Sequence, residues 1–124
     1  MPHTNKFLEI VNSAKAQVSE TNPIAVYGMQ KNGKDNFFLV DVREESEWLR
    51  GHLPKAIHLS KGVIERDIEK TIPDLKSSII LYCGGGYRSA LAADNLQKMG
   101  YINVLSMDGG YSEWTRKGFP VISD

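Results

Sequence analysis

Residues 79–93 read IILYCGGGYRSALAA, and this stretch determines the fold because it contains a strand, a turn and the start of a helix. Ile79 to Tyr82 has the branched and aromatic residues of a buried strand, and the alanines and leucine after Ser89 are typical of a helix. Cys83, the only cysteine, therefore lies at a strand-to-helix turn. Because ligands of open parallel sheets bind beyond the carboxyl ends of the strands, this turn is the first candidate for a functional site.

The turn after Cys83 consists of three glycines, Gly84, Gly85 and Gly86. Glycine adopts backbone angles that other residues resist, so successive amide N–H groups can turn toward the sulfur. The helix that follows directs its positive end to the same point. Three adjacent glycines weaken any regular element, and a backbone cradle for an anion would explain them. The turn is therefore predicted to favour the thiolate, which is the nucleophilic form of cysteine.

Three further residues complete the turn. Arg88 places a cation at a helix N-terminus, which is unfavourable unless it serves a bound anion, so we interpret it as an anion contact. Ser89 is predicted to cap the helix, with its hydroxyl near the sulfur as a second interpretation. The residues from Gly84 to Ser89, Tyr87 included, are thus the candidate substrate-binding residues. The alternative for Cys83 is a small buried apolar residue without chemistry.

Composition restricts the class of protein. A chain of 124 residues has the length of a single domain with its own core. Fifteen basic residues balance fifteen acidic ones, so small-molecule or protein partners are expected rather than nucleic acid or an anionic membrane. One cysteine cannot form an internal disulfide, and no stretch approaches the roughly 20 apolar residues of a membrane span. We expect a soluble, unprocessed cytoplasmic protein.

Strand and helix patterns alternate after residue 36, which favours an α/β fold with an open parallel sheet and helices on both faces. Phe37 to Val42 is a nearly continuous apolar run that suits a parallel strand covered on both sides. Further strands are predicted at 56–59, 79–82 and 104–107, and helices at 44–50, 62–71 and 89–99, with a last helix that contains Trp114.

The first 33 residues are predicted to form a helical extension packed on a domain of residues 34–124. Asn22-Pro23 has the cap and first-turn pattern of a short helix that continues to about Gln30. An earlier helix is indicated by apolar residues at helical spacing, namely Phe7, Ile10, Val11, Ala14 and Val18.

Asp41 and Arg43 lie at the polar end of the first apolar strand. We interpret them as structural support that pairs with backbone or with each other, and a direct role in chemistry is the alternative. His52 and His58 lack further ligands at metal-binding spacing, so no metal and no cofactor is expected. The sequence places no histidine, aspartate or asparagine as a general base for Cys83, and the loop itself is then expected to activate the thiol.

Several motifs follow one another along the chain. They are Asp41-Val42-Arg43-Glu44, Gly51-His52-Leu53-Pro54 with Ala56-Ile57-His58, Tyr82-Cys83 with Arg88-Ser89-Ala90, Met99-Gly100-Tyr101, and Asp108-Gly109-Gly110 with Trp114. Their order and spacing from about residue 36 to 122 resemble the single-domain rhodanese family. The resemblance implies a rhodanese-like fold and a sulfurtransferase, and within it His52 joins Asp41 and Arg43 as predicted structural support.

The resemblance also implies a mechanism. The Cys83 thiolate would attack the outer sulfur of a donor such as thiosulfate, a persulfide or a polysulfide, and hold that sulfur as a persulfide. Cyanide or a thiol would then accept the sulfur, and an acceptor protein is a further expected partner. The N–H groups of residues 84–88 would stabilise the charge on thiolate and persulfide, while Arg88 would orient an anionic donor.

Loop length bears on the alternatives. Cysteine-dependent phosphatases that resemble rhodaneses have five residues between cysteine and arginine, whereas four separate Cys83 from Arg88. The shorter loop suits one sulfur atom better than a phosphoryl group, so phosphatase or arsenate reductase activity is a minor alternative. The other alternative is a non-catalytic docking or regulatory module, in which the cysteine is usually lost.

One position departs from the family pattern. Many rhodaneses that use thiosulfate carry a basic residue directly after the cysteine, whereas this chain has Gly84. The departure suggests a less anionic donor, either a persulfide, a polysulfide or a protein persulfide.

Overall fold

The structure is a computed structural model, and it describes residues 3–34 and 36–123. Residues 1, 2, 35 and 124, which belong to the two predicted units, lie outside the described part. The helices are α1 (Asn5–Lys15), α2 (Pro23–Lys31), α3 (Glu45–Leu49), α4 (Ile64–Thr71), α5 (Tyr87–Lys98) and α6 (Gly110–Arg116). The strands are β1 (Ser19–Thr21), β2 (Phe38–Asp41), β3 (Ala56–His58), β4 (Ile79–Tyr82) and β5 (Val104–Met107).

The described strands form one parallel sheet in the order β1-β5-β4-β2-β3. β4 is central and all four of its residues are buried. Leu81 of this strand pairs with Val40 on one side and with Ser106 on the other. Parallel pairing brings the carboxyl ends of the strands to one edge, so Cys83 lies between the ends of β2 and β5. The prediction of an open parallel α/β sheet is confirmed.

Two apolar clusters cover the two faces of the sheet. Ile79 and Leu81 belong to one cluster, and Ile80 and Tyr82 belong to the other, because successive side chains of a strand point to opposite faces. Helices α4 and α5 contribute to the first cluster, and α2 and α6 contribute to the second. Full burial of a large apolar side chain such as Trp114 stabilises the fold by roughly 1.5–3 kcal/mol. Helices on both faces were predicted, and this is confirmed.

The N-terminal segment contains the helices α1 and α2, in agreement with the predicted helical extension, and it also contains the edge strand β1, which was not predicted. Glu20 of β1 lies opposite Ser106 of β5 in parallel register. The three residues of β1 are polar and none is fully buried, so they lack the alternation that indicates a strand. Helix α1 accordingly ends at Lys15 and does not reach Val18. The division of the chain at residue 33 stays a prediction.

Helix α5 begins two residues before the predicted start, and the predicted cap at Ser89 is wrong. Gly86 occupies the N-cap with φ of 104°, a left-handed angle that glycine adopts without strain. Tyr87 is then the first helical residue, and Ser89 lies within the first turn, where its amide faces the end of β4. This early start tightens the turn around Cys83.

Candidate active site

The thiol of Cys83 lies at the carboxyl end of β4 and is 1% exposed. The backbone amide of Gly86 donates to Sγ over 3.1 Å, and the amide of Ser89 donates over 3.4 Å. The thiol lies 3.5 Å from Ser89 Oγ, to which it can donate. Amides aimed at the sulfur stabilise negative charge on it. The sequence predicted amide donors among residues 84–88; Gly86 belongs to that set, and Ser89 extends it by one residue.

A buried pair of hydroxyl groups lies behind the sulfur. Ser89 Oγ is 2.8 Å from Ser106 Oγ, and both side chains are fully buried. Because a hydroxyl rotates to suit its partners, Ser106 can donate to Ser89 while Ser89 donates to a thiolate. Ser106 was missed by the sequence analysis, since it lies on β5 and no local motif marks it. The sequence offers one signal for Ser106, which is its position on a predicted strand two residues before the Asp108-Gly109-Gly110 motif.

The carbonyl groups of the loop are held by the start of α6. Because the N–H and C=O of a peptide unit point in opposite directions, binding the carbonyls on one side leaves the amides available on the other. Three carbonyls are bound in this way by backbone amides: Cys83 O by Tyr111 over 2.8 Å, Gly84 O by Ser112 over 2.9 Å, and Gly85 O by Gly109 over 3.2 Å.

Gly110 allows this close approach of two backbones. A Cβ at this position would clash with Cys83 O and lie 2.8 Å from Gly84 O, and the φ of 52° is unfavourable for other residues. Gly86 meets the same helix start, since its Cβ would lie 3.1 Å from the Cα of Asp108. The Asp108-Gly109-Gly110 motif is therefore explained by contact with the cysteine loop.

Arg88 is held by a carboxylate that the sequence analysis did not identify. Arg88 Nη1 donates to Glu47 Oε1 over 2.7 Å, and Nη2 donates to Glu47 Oε2 over 3.1 Å. Both side chains are about 30% exposed, at 31% and 28%. These hydrogen bonds from Arg88 lower the pKa of Glu47 to about 2. The guanidinium that was predicted to contact an anionic donor is thus already paired.

The sequence carries only a local signal for Glu47. Its Oε1 also accepts from the backbone amide of Glu44 over 3.0 Å, which is the pattern of a capping box at the start of α3. The spacing of Glu44 and Glu47 indicates that cap. Nothing local connects Glu47 with Arg88, which lies 41 residues further along the chain.

The Glu47–Arg88 pair predicts a pH-dependent part of the stability. A carboxyl whose pKa falls from 4.5 to about 2 on folding contributes stability that is complete above pH 4.5 and is lost as the pH falls through 2. Glu47→Gln is therefore expected to lower the free energy of unfolding by roughly 0.5–1 kcal/mol at pH 7, with a difference that shrinks toward pH 2. Urea unfolding of both proteins across this range measures it, and a difference independent of pH would contradict the charged pair.

Asp41 and Arg43 form a buried ion pair beside the loop. Asp41 Oδ2 lies 2.8 Å from Arg43 Nη2, and the two side chains are 0% and 5% exposed. The same Arg43 nitrogen donates to Gly51 O over 2.7 Å, and the guanidinium stacks on the ring of Tyr111 at 4.0 Å. The pair therefore connects the end of β2 with the segment after α3 and with α6.

Tyr82 extends this network into the centre of the sheet. Its hydroxyl donates to Asp41 Oδ2 over 2.6 Å and accepts from the backbone amide of Leu53 over 3.1 Å. Burial and the neighbouring Asp41 carboxylate raise the pKa of Tyr82 well above its ordinary value, so the hydroxyl keeps its proton. Among the described residues, no fully buried side-chain nitrogen or oxygen lacks a hydrogen-bond partner, and such pairing allows a charged pair to persist in the core.

His52 directly precedes Leu53, whose backbone amide belongs to this network. Its ring stacks on Trp48 with 3.5 Å between the ring centres, and Nδ1 is 3.0 Å from Leu53 O. Its backbone also forms two hydrogen bonds with Ile122. Across the described residues, no group of three or more histidine, cysteine, aspartate or glutamate side chains could hold a metal ion.

Tyr87 connects the loop with the N-terminal helix. Its ring lies 4.6 Å from the ring of His3 and 6.3 Å from that of Phe7, with the ammonium group of Lys15 5.2 Å from its centre. Helix α1 packs along α5, and this packing brings the three groups to the loop. Residues of the N-terminal segment thus contact the cysteine loop at Tyr87.

Comparison with known proteins decides the family. The model of the Rhodanese-like domain matches residues 22–117. The chain belongs to the rhodanese-like family. A protein of Allochromatium vinosum named "Sulfurtransferase" is 32% identical over 89 residues, which is 72% of this chain and 81% of that protein. Relatives of this kind support sulfur transfer as the class of activity.

Solved structures also resemble this rhodanese-like chain. The polysulfide-sulfur transferase homodimer of Wolinella succinogenes has 25% identity and a TM-score of 0.78, covering 96% of this chain and 88% of that one. A Rhodopseudomonas palustris protein of unknown function, described as a "Possible Tyrosine Phosphatase", has 26% identity and a TM-score of 0.87 over 98% of this chain and 99% of its own. Within the described residues, no helix has both the length and the apolar character to cross a membrane.

Proposed function

We propose that this rhodanese-like protein is a sulfurtransferase in which Cys83 carries the sulfur. The observation that supports it is the buried Sγ at the end of β4, with the amides of Gly86 and Ser89 directed at it. A thiolate and a persulfide both carry a single negative charge on sulfur, and the same amides stabilise either one. The reaction then needs no metal and no cofactor.

The reaction has two displacement steps. The Cys83 thiolate attacks the sulfane sulfur of the donor, the bond between that sulfur and the rest of the donor breaks, and the leaving group departs with the electron pair. With thiosulfate the leaving group is sulfite, and the enzyme becomes a Cys83 persulfide anion. Cyanide or a thiolate then attacks the outer sulfur of the persulfide, which releases thiocyanate or a new persulfide and restores the Cys83 thiolate.

Initial-rate kinetics test this scheme. Because the donor product leaves before the acceptor reacts, double-reciprocal plots at several cyanide concentrations are expected to be parallel lines. Lines that intersect would require donor and acceptor to bind together, and they would contradict a free persulfide enzyme.

We further propose that the preferred donor carries less negative charge than thiosulfate, and that it is a persulfide, a polysulfide or a protein persulfide. Gly84 contributes no cation to the loop, and Arg88 already holds a carboxylate. We predict a higher kcat/KM with an organic persulfide than with thiosulfate, measured with the same acceptor. A strong preference for thiosulfate would contradict this prediction.

Phosphatase activity is the second candidate function, because the similar Rhodopseudomonas palustris structure is described as a possible tyrosine phosphatase. A phosphate dianion would need several loop amides and an unpaired arginine, whereas Arg88 is paired with Glu47 and the loop has four residues between Cys83 and Arg88. Hydrolysis of para-nitrophenyl phosphate is accordingly expected to stay at background. Hydrolysis that depends on Cys83 would replace sulfur transfer with the phosphatase assignment.

A protein acceptor would dock where the loop reaches the surface. Tyr87 and Trp48 are both half-buried and would offer aromatic contact to such a partner. A purely docking function would not need the thiol, so retention of Cys83 favours catalysis. A reducing compartment such as the cytoplasm would keep this single thiol free.

A further inference from the structure

The guanidinium of Arg88 is fixed over the first residue of the loop. A Cβ built on Gly84 would lie 3.1 Å from Arg88 Nη2, so the guanidinium occupies the space that a side chain at this position would enter. Glu47 holds the guanidinium there through two hydrogen bonds of 2.7 and 3.1 Å. A side chain at position 84 would therefore require the end of the Arg88 side chain to shift by a few tenths of an ångström.

Two further cations near the loop, Arg43 and Lys15, are compensated in the same way. Arg43 is paired with Asp41 at 2.8 Å, in the core beside Tyr111. Lys15, which lies over the Tyr87 ring, is within 3.3 Å of Glu20 and 3.2 Å of Asp108. Each of these cations holds at least one carboxylate, so none brings an uncompensated positive charge to an approaching donor.

Helix α3 adds negative charge next to Arg88. The hydrogen bonds that Arg88 donates to Glu47 raise the pKa of Arg88, and the charges of Cys83, Glu47 and Glu44 raise it further. The neighbourhood of the only charged loop residue is thus neutral to acidic. A donor with two negative charges would be attracted to such a site less than a donor with one.

We propose that Glu47 is a specificity-determining residue that sets the charge of the sulfur donor. By neutralising and fixing Arg88, it favours monoanionic sulfane sulfur donors, such as organic thiosulfonates and persulfides, over the thiosulfate dianion. The proposal rests on the sulfurtransferase function above and assigns Glu47 a positioning role. The reacting atoms remain those of Cys83 and the donor.

Two sulfur donors of similar size react by the same chemistry but differ by one unit of charge. Thiosulfate and methanethiosulfonate both present a terminal sulfur on a sulfonyl group, but the first is a dianion and the second a monoanion. Each gives a Cys83 persulfide, with sulfite or methanesulfinate as the leaving group. The ratio of kcat/KM for these two donors therefore measures how the site responds to one unit of charge.

Glu47→Gln removes the carboxylate charge and keeps an oxygen that accepts from the Glu44 amide, so the cap of α3 is preserved. The interaction of a removed charge with a dianion is twice that with a monoanion, so we expect KM to fall about tenfold for thiosulfate and about threefold for methanethiosulfonate. The donor ratio then shifts about threefold toward thiosulfate, with kcat little changed.

Two further variants are matched controls. Glu45→Gln removes the same charge from an exposed position of the same helix, and screening by solvent is expected to leave the donor ratio within twofold of wild type. Glu47→Asp keeps the charge on a shorter side chain, so its donor ratio stays close to wild type. If Glu47 had only a structural role, Glu47→Asp and Glu47→Gln would lower kcat/KM similarly for both donors. Thermal stability would fall together with activity.

The outcomes separate this inference from the proposed function. If wild type transfers sulfur and Glu47→Gln leaves the donor ratio unchanged, Glu47 does not set donor charge and the inference is overturned. If Glu47→Gln and Glu45→Gln shift the donor ratio equally, the effect comes from the overall negative charge of α3 and not from the pair of Glu47 with Arg88. This result would also overturn the inference. If wild type forms no persulfide with either donor, the sulfurtransferase function itself is refuted.

Discussion

Replacement of Cys83 with serine is expected to lower kcat for sulfur transfer by about 10⁴-fold or more, to the background rate. A serine hydroxyl at the end of β4 can accept from the amides of Gly86 and Ser89, but it is a far weaker nucleophile at neutral pH and cannot hold a sulfane sulfur. The substitution changes one atom, so the fold should persist. Thiocyanate formation from thiosulfate or an organic persulfide with cyanide measures the rate.

The control for this variant lies on the helix that supports the loop. Ser112→Ala removes an exposed hydroxyl from α6 while its backbone amide still binds Gly84 O. Its kcat is expected to stay within about twofold of wild type, as for most exposed substitutions. Residual turnover by Cys83→Ser close to that of wild type would show that the thiol is not the sulfur carrier.

Replacement of Asp41 with alanine is expected to cost about 3–5 kcal/mol of stability, the largest loss among the variants considered. The change leaves the Arg43 charge buried without its carboxylate and removes the acceptor of the Tyr82 hydroxyl. Gly51 O remains as a partner for Arg43, but a carbonyl does not neutralise a guanidinium. Urea unfolding monitored by far-ultraviolet circular dichroism measures the difference.

The exposed pair of Arg66 and Asp67 provides the comparison. Asp67 lies within 2.8 Å of Arg66 on the surface of the chain, where solvent competes for both charges. Asp67→Ala is therefore expected to change the unfolding midpoint little. If Asp41→Ala is as mild as Asp67→Ala, then the network around Tyr82 contributes little to stability, which would contradict this prediction.

The sequence was most informative where one physical effect dominated a whole segment. Burial on both faces makes Ile79 to Tyr82 continuously apolar, and the cluster of glycines marks a turn in which Gly86 adopts a positive φ. These features predicted the central strand, the turn and the position of Cys83. Residues 37–42 predicted the neighbouring strand by the same argument, and the structure places it at Phe38–Asp41.

Short polar elements and long-range pairs were beyond this kind of prediction. Strand β1 forms because β5 offers an unpaired edge, and its residues carry no pattern of their own. Glu47 reaches Arg88 only after α3 and α5 are positioned by the sheet. The hydroxyl of Ser106 meets Ser89 through the pairing of β4 and β5, which a reading of either segment alone does not include.

Among the predicted site residues, Arg88 is the one whose interpretation changes most once the structure is known. A cation at a helix N-terminus was interpreted as a contact for a donor anion. Its bidentate pair with Glu47 gives it a partner without any ligand and balances its charge. We therefore propose that the preference for a donor of a given charge depends on Glu47 and Arg88 together.

The central claim is that Cys83 carries the sulfur as a persulfide, and intact-mass measurement tests it most directly. The protein is incubated with an organic persulfide, a polysulfide or thiosulfate, and the excess donor is removed. The intact mass is then measured before and after cyanide is added. We predict a gain of one sulfur atom in the wild type that cyanide removes, and no such gain in Cys83→Ser. A wild type that gains no sulfur from any of these donors, or a Cys83→Ser protein that gains it equally, would contradict the account.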